Sequence, residues 1–485
     1  MANRPGSQLG LKKLRDALAA DRVKTAVKSQ HTMNSTASQP SGHENPLDRY
    51  PLLTALRERR SRRFGLGMNI PGGPLAFQSR HQPRPLTEDE AALVFAASGI
   101  TGHALADLCY ANDGGGGIMS GLVARTIASG DGLQTVALIV TNDESTHLVR
   151  RPRELPASAM PEFIEHSRKG EFTELYRKSR VKIKDGRTTT PIEPLFNINA
   201  NRWSAHAPGT TYFLPVNDLT FMYVNGLLEI LNEHTGTFIL DDRNNFLPAG
   251  LGKFARSKGG HLEDNPDKGR VATVRQIEQF VTEFVTVEQG MMLQNLGLMA
   301  QALGLGGFPN FANHEFAWFQ ALGFRMEQMP VNHYVGAGWL ASLAMKLLKR
   351  NPNIPYPIGL ERNGEVLLKP FCPPYYNSMA DAVHAVVDKK YGADGLFRSA
   401  GHGSAWTKHN EVVQAVPRVS EAAIAATIAY CEYLWARYGR FPVYLPPYRT
   451  VLGFQACHLD AEFYDKFYKP EALGEMQRRD SEQKF

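Results

Sequence analysis

Residues 285–308 (VTVEQGMMLQNLGLMAQALGLGGF) constrain the fold more than any other part of the sequence. Their apolar side chains recur at helical spacing and cover almost the whole circumference, which predicts one long buried helix. Gly290, Gly297 and Gly304 are seven residues apart and therefore share one face of that helix. Because glycine inside a helix costs roughly 1 kcal/mol relative to alanine, this face indicates close approach of another backbone or a flat ligand. The alternative is that the segment is an ordinary core helix whose glycines serve only close packing. We expect the helix to end at the glycine-rich sequence 304–307.

The composition is that of a globular protein. The chain has 485 residues, 43% of them hydrophobic, which is enough for one large domain or several ordinary ones. The four cysteines are too few and too scattered for a disulfide framework or a zinc site. No run reaches the ~18 apolar residues of a membrane span, and the N-terminus lacks an apolar signal sequence. We therefore expect a cytoplasmic protein with no membrane partner and no bound metal.

The positive charge is concentrated at the N-terminus. Residues 1–63 contain 13 Lys/Arg and 5 Asp/Glu, a net charge of +8, whereas the whole chain has +6, so the remainder carries about −2. A basic leading segment on a nearly neutral body does not indicate a nucleic-acid groove, and we expect no nucleic-acid partner. The polar composition of residues 29–46 predicts that residues 1–47 form a basic, flexible segment.

Residues 57–63 form a cluster rich in arginine. Five arginines and one serine occupy seven consecutive positions: Arg57, Arg59, Arg60, Ser61, Arg62 and Arg63, with Glu58 between them. Guanidinium groups bind phosphate through two parallel hydrogen bonds, and a serine hydroxyl adds another. The residues therefore suggest a phosphate site, although a solvated basic face has the same composition.

A second candidate ligand segment is the polar turn at residues 128–134 (ASGDGLQ), which leads into the apolar run TVALIVTND. A glycine-containing turn beside a buried strand is a place where α/β folds bind ligands. The turn lacks the spaced glycines of a dinucleotide-binding fingerprint, so it does not predict a Rossmann domain. Near the C-terminus, His458, Asp460 and Glu462 alternate as if on one strand face. They could ligate a metal, but a surface ladder without a fourth ligand is the more frequent explanation.

Three segments occur in the order found in the FMN-dependent nitroreductase superfamily: RRSRRF (59–64), PLTEDEAALVFAASG (85–99) and EQGMMLQNLGLMAQALGLGG (288–307). With ARTIASGDGLQTVALIVTND (124–143) between them, the chain resembles most closely the larger members related to the SagB-type dehydrogenases. Two positions depart from the family pattern. Phe64 comes one place early, and Ala128 stands where the family has proline.

The resemblance implies an α+β, nitroreductase-like fold, with a central, mostly antiparallel sheet flanked by helices. It also implies a homodimer whose long buried central helices meet at the interface, where FMN binds. Three regions are then expected. Residues 1–47 are the flexible segment, residues 48–345 the flavin domain with an insertion at 151–275, and residues 346–485 an extension that packs on this domain or on the partner subunit.

The resemblance also implies the cofactor site. Three groups of residues are expected to surround FMN: Arg59, Arg60, Ser61 and Arg63 at the phosphate and pyrimidine oxygens; Ser129, Gly130 and Gln134 at one ring edge; and Glu288, Gly290, Gly306 and Gly307 on the other side. In such enzymes the flavin performs the hydride chemistry, and the protein binds and orients it. No catalytic side chain can be named, and the sequence contains no catalytic triad or metal-binding motif.

These features predict an FMN-dependent oxidoreductase or dehydrogenase. Its reaction would pass hydride between flavin N5 and a small organic or peptide-derived substrate, with NAD(P)H as one candidate electron donor. The alternative is a non-catalytic flavin-binding or assembly protein that keeps the fold as an interaction scaffold. The colour of the purified protein, and bleaching by NADH or NADPH, would discriminate the two.

Overall fold

A computed structural model describes residues 46–105, 123–193, 199–311, 315–392, 395 and 403–482. Residues 1–45, which include most of the predicted flexible segment, and Cys109 lie outside the described residues. Contacts divide the chain into Met1–Asp48 and Arg49–Phe485, and every element named below belongs to the second unit. Within the described residues, none of the helices has the length and hydropathy needed to cross a membrane.

The secondary structure mixes helices with antiparallel strands. The strands are β1 Asn69–Ile70, β2 Phe77–Gln78, β3 Ile100–His103, β4 Val123–Arg125, β5 Val136–Thr141, β6 Ser145–Val149, β7 Arg180–Asp185, β8 Thr211–Asp218, β9 Phe238–Asp241, β10 Leu247–Pro248, β11 Val271–Thr273, β12 Gly306–Phe311, β13 Arg325–Pro330, β14 Asn353–Arg362, β15 Glu365–Leu368, β16 Tyr448–Arg449 and β17 Leu452–Cys457. The helices are α1 Leu52–Glu58, α2 Glu88–Ser98, α3 Met160–Arg168, α4 Phe172–Ser179, α5 Leu219–Ile230, α6 Val274–Ala302, α7 Glu315–Leu322, α8 Val331–Tyr334, α9 Trp339–Leu347, α10 Met379–Tyr391, α11 His409–Ala415, α12 Glu421–Tyr438, α13 Ala461–Phe467 and α14 Glu475–Glu482.

The largest sheet in the described part of the chain has seven strands, in the order β12-β17-β8-β5-β6-β7, with β16 also paired to β8. Every pair in this sheet is antiparallel. The protein is therefore α+β with an antiparallel main sheet flanked by helices, which confirms this part of the prediction.

Both faces of the main sheet are covered, because its central strands β5 and β8 are buried at every position. Along β5, Val136, Leu138 and Val140 pack on one side with α2 and the C-terminal half of α6. Ala137 and Ile139 point to the other side, where α7 covers them. The period of two along a strand produces these two layers. A third core joins α5, α10 and α12 to the N-terminal half of α6.

Helix α6 runs from Val274 to Ala302 and contacts two of these three cores. The predicted start was eleven residues too late, because the capping box made by Thr273 and Gln276 was not recognised. The predicted glycine stop is confirmed: Gly304 has a φ of +78°, and a Cβ there would lie 2.2 Å from the Met476 carbonyl oxygen. The chain then enters β12 instead of continuing the helix to residue 308.

The main sheet includes strands from the two regions that we predicted to be an insertion and a C-terminal extension. Strand β8 lies within the predicted insertion 151–275, yet it occupies the centre of the sheet between β5 and β17. Strand β17 belongs to the predicted extension 346–485 and lies between β8 and β12. Both are needed to complete the sheet, so these two regions are integral to the fold and not layers on its surface. Sequence periodicity cannot reveal pairing between strands so distant in the chain.

Candidate functional site

The inner face of α6 carries a buried carboxylate. Glu288 accepts hydrogen bonds from Arg125 Nη2 at 2.5 Å, from Thr135 Oγ1 at 2.6 Å and from Thr135 N at 3.1 Å. The side chains of Arg125 and Glu288 are only 1% and 4% exposed. Burial lowers the pKa of Arg125, and the Glu288 carboxylate partly offsets this. Glu288 therefore fixes the start of β5 at Thr135, the residue before the strand, and both of its oxygens are engaged inside the fold.

The Ser129–Gln134 loop precedes that strand and is held in an uncommon conformation. Asp131 and Gln134 have positive φ angles of 56° and 52°, which non-glycine residues adopt at a cost. Ser129 Oγ accepts a hydrogen bond from Gln134 N at 2.8 Å, and Gln134 Nε2 donates to the Val123 carbonyl oxygen at 2.6 Å. Strain of this kind is concentrated at ligand sites. The backbone and side-chain nitrogens of Gln134 thus both hold the loop in this conformation.

Gly130 lies directly against α6. A Cβ at this position would be 2.3 Å from the Phe284 ring, so only glycine lets the loop approach the helix so closely. Ser129 and Gly130 are half-buried at the edge of the helix surface. They are positioned to contact a molecule that lies on this surface.

The outer face of α6 is apolar and exposed in the single chain. Phe280, Phe284, Val287 and Met291 are 55%, 40%, 57% and 40% exposed. With Gln294 and Leu298 they follow steps of four and three residues, the spacing of a coiled-coil seam. No atom of the described residues lies within 4 Å of a Cβ built on Gly290 at the edge of this face. The prediction of a helix buried all round is therefore wrong for the single chain, because the fold covers the inner face alone.

The arginine segment 57–63 separates into structural and exposed members. Arg62 is buried, where its Nε donates to the Ala472 carbonyl oxygen at 2.7 Å and its Nη1 to Gln301 Oε1 at 2.8 Å. Arg63 donates to Asn201 Oδ1 at 2.8 Å and lies between two aromatic rings, 5.1 Å from Trp203 and 4.5 Å from Phe308. These two guanidinium groups hold the segment on the fold.

The exposed members of the segment are available to a ligand. Arg59, Arg60 and Ser61 are exposed. A Cβ on Gly297 of α6 would lie 3.6 Å from Arg59 Cδ, so the Arg59 side chain crosses the edge of the helix. Arg60 bonds only to the nearby Arg57 and Glu58 carbonyl groups. The segment can therefore present two cations and a hydroxyl beside the outer face.

Gly306 and Gly307 lie elsewhere in the interior. Both are in β12 and pair with β17, and Gly307 also bridges to Arg62. A Cβ on Gly307 would lie 2.4 Å from the Phe454 ring, and one on Gly306 2.5 Å from Leu459. These glycines therefore permit close strand packing, and their lack of side chains is explained without a ligand.

The predicted cofactor residues that remain beside the outer face include two groups at separate points along α6. Ser129 and Gly130 lie at Phe284, and Arg59 lies at Gly297. Thirteen helical residues correspond to about 20 Å along the axis. A helical wheel places Phe284 and Gly297 at opposite edges of the outer face. The described residues of one chain therefore surround an open helix surface, not a closed cavity.

Three residues that the sequence analysis did not name help to build this surface. Arg125 and Thr135 hold Glu288. Asn295 donates from Nδ2 to the carbonyl oxygens of Ala96 and Thr126, at 3.1 and 3.0 Å, and so fixes α6 against α2 and the segment before the loop. The one available signal was the alternation of Val123, Arg125 and Ile127, which places the arginine on a buried strand face.

His458 takes part in a different arrangement from the predicted strand ladder. Its Nδ1 lies 3.0 Å from Asp480, and its Nε2 lies 4.0 Å from Asp89. Asp460 instead caps α13, and Glu462 is near His81. Arg84 is 3.7 Å from Asp480, so a cation already faces this group. The cluster therefore links the C-terminal helix α14 to residues 84–89 through polar contacts.

Comparison with known proteins adds little to this geometry. No family model and no curated protein matches the chain. Among solved structures, it is similar to a "putative nitroreductase" from Ralstonia eutropha, with 13% identity over 60% of this chain and 80% of that chain. The TM-score is 0.28, which is too low to transfer a fold or a site. The residues of this chain must therefore support any functional assignment.

Proposed function

We propose that the protein is an FMN-dependent oxidoreductase of the nitroreductase type, with the flavin bound on the outer face of α6 between two copies of the chain. The supporting observation is the exposed apolar seam of α6, flanked at one edge by the strained Ser129–Gln134 loop and at the other by Arg59. The motif resemblance is a second, independent support. The relationship to SagB-type dehydrogenases is part of the proposal.

A two-fold pairing of α6 would complete the site. The midpoint between Phe284 and Gly297 falls at Gly290–Met291, where the absence of a side chain permits close helix contact. In an antiparallel pair centred there, the Ser129–Gly130 edge of one copy lies at the same level along the helix pair as Arg59 of the partner subunit. An isologous interface creates this arrangement twice. The two groups that are about 20 Å apart in one chain then flank the helix pair at one level, on its two sides.

The exposed residues fit the parts of FMN. Arg59, Arg60 and Ser61 provide charge-assisted donors for a phosphate. Ser129 and Gly130 provide a hydroxyl and a main chain without a Cβ beside the flat apolar surface, which suits a ring edge. Gly290 leaves open space at the same surface. Gln134, Glu288, Arg63, Gly306 and Gly307 would act indirectly, by holding these groups in place.

When bound, FMN supplies the hydride transfer between its N5 position and the substrate. The protein's own residues then bind the phosphate, fix the ring edge and exclude water through the apolar seam. NAD(P)H and an oxidisable organic or peptide-derived molecule are both candidate electron donors. The alternative is a flavin-binding scaffold without turnover.

The experiment is to purify the full chain, record its absorbance spectrum and identify heat-released cofactor by chromatography. We expect FMN at about one per chain, and anaerobic bleaching by NADH or NADPH. FAD, or the absence of flavin after reconstitution with FMN, would refute the proposal. Bound FMN that neither reduced nicotinamide nor a substrate panel reduces would favour the scaffold alternative.

A further inference from the structure

Two arginines lie near each other beside the N-terminal half of α6, and neither has a carboxylate partner among the described residues. Arg243 lies in the turn after β9, where its backbone N–H bonds to Asp241 Oδ1 at 3.0 Å. Arg440 follows the left-handed Gly439 that ends α12, and it is only 7% exposed. In the described part of the chain neither guanidinium makes an ion pair. Two close cations in a partly buried position are unfavourable unless an anion compensates them.

The nearby acids are already engaged. Asp242 pairs with Arg275 at 3.1 Å, and Asp241 lies 3.9 Å from Arg437. Asp241 also accepts hydrogen bonds from Tyr433 and Tyr438, and Asp242 from Tyr444. These bonds fix the tyrosine rings beside the arginines, but they leave no carboxylate oxygen for Arg243 or Arg440.

The remaining acid is Glu278 on α6. Its carboxylate is taken by the backbone N–H groups of Val443 and Tyr444, both at 2.7 Å. Burial raises the pKa of Glu278 to about 7, so at neutral pH it provides only part of a negative charge. It therefore cannot balance two guanidinium groups.

Both arginines have donors left over. Arg243 Nη1 and Arg440 Nε are buried and have no hydrogen-bond partner among the residues that the structure describes. Arg440 makes one contact through Nη2, to the His333 carbonyl oxygen at 3.3 Å. The Arg243 guanidinium lies 5.2 Å from the Tyr438 ring and 4.9 Å from the Tyr444 ring, which orients it and offsets some of its charge. Buried donors without partners often mark a place that an ion or ligand fills.

The electrostatic effects on neighbouring groups agree with an excess of positive charge. Burial and the nearby Arg243 lower the pKa of Arg440 to about 10. Burial lowers the pKa of His333, and Arg440, Arg243 and Lys346 lower it further. Arg275, with its side chain 45% exposed, and the exposed His333 lie at the solvent side of the group. A small anion can therefore approach from that side.

From these contacts we propose that Arg243 and Arg440 form a binding site for an oxyanion, the phosphate or carboxylate group of a small molecule. Guanidinium forks match both groups, and aromatic rings that orient one fork reduce the entropy lost on binding. The site is independent of the proposed flavin surface. Glu278 precedes Gly297, where Arg59 lies, by nineteen helical residues, about 28 Å along α6.

The test compares wild type with Arg243→Gln and, as a matched control, Arg437→Gln. Arg437 is also near Tyr438, but it is exposed and already paired with Asp241. The full chain is titrated calorimetrically with inorganic phosphate and with acetate, at constant ionic strength set by sodium chloride. We expect wild type to bind at least one of them, and Arg243→Gln to bind it about ten- to a hundredfold more weakly. Arg437→Gln should change the affinity by less than about threefold.

The two anions separate the sources of the ligand group. Stronger binding of phosphate supports a phosphorylated ligand, and stronger binding of acetate supports a carboxylate ligand. Thermal unfolding adds a second readout: Arg243→Gln should lose the anion-dependent shift while keeping its melting temperature without anion, because it removes a repulsion. Arg440→Gln repeats the test if Arg243→Gln fails to fold.

Three outcomes would overturn the proposal. One is that wild type binds neither anion. Another is that Arg243→Gln and Arg440→Gln bind as wild type does, with only their stability reduced. The third is that Arg243→Gln loses FMN and phosphate competes with FMN, which would make this group part of the flavin site. Failure of the flavin proposal alone leaves the anion titrations unaffected, so the two results are distinguishable.

Discussion

The inner face of α6 packs into two apolar cores and also holds several polar side chains, whereas its outer face exposes apolar ones. Its inner face buries the polar residues Glu278, Glu288 and Gln289, whereas its outer face exposes Phe280 and Val287. Each inner polar group is bonded to the protein: Gln289 Nε2, for example, donates to the Pro215 carbonyl oxygen at 2.9 Å. The exposed apolar residues have no such partner in the single chain. The polar inner bonds therefore position the helix, and the apolar outer face stays exposed in the single chain.

This contrast explains why some of the predicted cofactor residues are bonded to the fold and others lie beside the outer face. Glu288 and Gln134, both predicted to touch the cofactor, are committed to Arg125 and Val123. Arg59 and Gly130 lie beside the outer face. A site on that face would use the inner residues for support and the outer ones for contact. Substitutions on the two faces should consequently affect different properties, namely stability on the inner face and assembly or binding on the outer face.

The largest effect is expected from Glu288→Ala. The substitution leaves Arg125 buried without its carboxylate, and breaking a buried pair in this way costs about 3–5 kcal/mol of unfolding free energy. Urea denaturation followed by circular dichroism measures the loss. Gln279→Ala, on the exposed side of the same helix, should stay within about 0.5 kcal/mol of wild type. A loss below about 1 kcal/mol for Glu288→Ala would contradict the supporting role of the inner face.

A pH-dependent effect is expected from Glu278. Burial raises its pKa from 4.5 to about 7, so the folded protein keeps this proton over a range in which the unfolded chain has lost it. Stability is therefore highest below about pH 4.5 for this group and falls as the pH rises to about 7, by roughly 3 kcal/mol at about 1.4 kcal/mol per pKa unit. Glu278→Gln should remove this slope in denaturation curves collected across the range.

Glu315 provides a second test of the same effect of burial. Burial also raises its pKa to about 7, and its carboxylate accepts a hydrogen bond from Thr450 N at 3.2 Å. Both glutamates contribute a slope of the same sign, so the single variants Glu278→Gln and Glu315→Gln should each remove part of it. Parallel pH profiles for wild type and Glu278→Gln would show that burial does not hold the proton on Glu278.

On the outer face, Val287→Glu should act on assembly. If this face pairs with a second copy, the substitution buries a charge in place of an apolar side chain worth about 1.5–3 kcal/mol, and dimerisation should weaken at least ten- to a hundredfold. Light scattering over a concentration series measures the change. Gln279→Glu adds the same charge nearer the edge of the face and should have little effect. A wild-type monomer that retains flavin would refute the paired arrangement.

The sequence predicted the local features of this fold better than its long-range ones. The glycine stop after α6 was predictable from nearby residues, and the antiparallel main sheet was predictable from the resemblance alone. The central positions of β8 and β17 were not, because pairing between distant strands leaves no local pattern. Thr87 and Glu90 have the spacing of a capping box before α2, yet the Thr87 side chain makes no cap bond. Glu90 instead accepts a hydrogen bond from Tyr176.

Prediction of the candidate site from the sequence was limited in the same way. Composition identified the arginine segment, but it could not separate Arg62 and Arg63, which bond to the fold, from Arg59 and Arg60, which remain exposed. Neither could it show that Glu288 has a buried arginine partner 163 positions away. Such roles depend on which residues the folded chain brings opposite one another.

The smallest change in stability is expected from Arg59→Ala, and it tests the outer face most directly. Arg59 is exposed, so its loss should alter the unfolding free energy by no more than about 0.5 kcal/mol. If Arg59 holds the FMN phosphate, one charge-assisted bond worth roughly 1.5–3 kcal/mol is lost, and FMN should bind about ten- to a hundredfold more weakly in a fluorescence titration of the apo-protein. Arg63→Ala is the informative comparison, because that side chain bonds to Asn201 and lies between Trp203 and Phe308, and its removal should lower stability by about 1–3 kcal/mol. Unchanged FMN affinity in Arg59→Ala, with Arg63→Ala merely less stable, would mean that the arginine segment supports the fold and that the phosphate binds elsewhere.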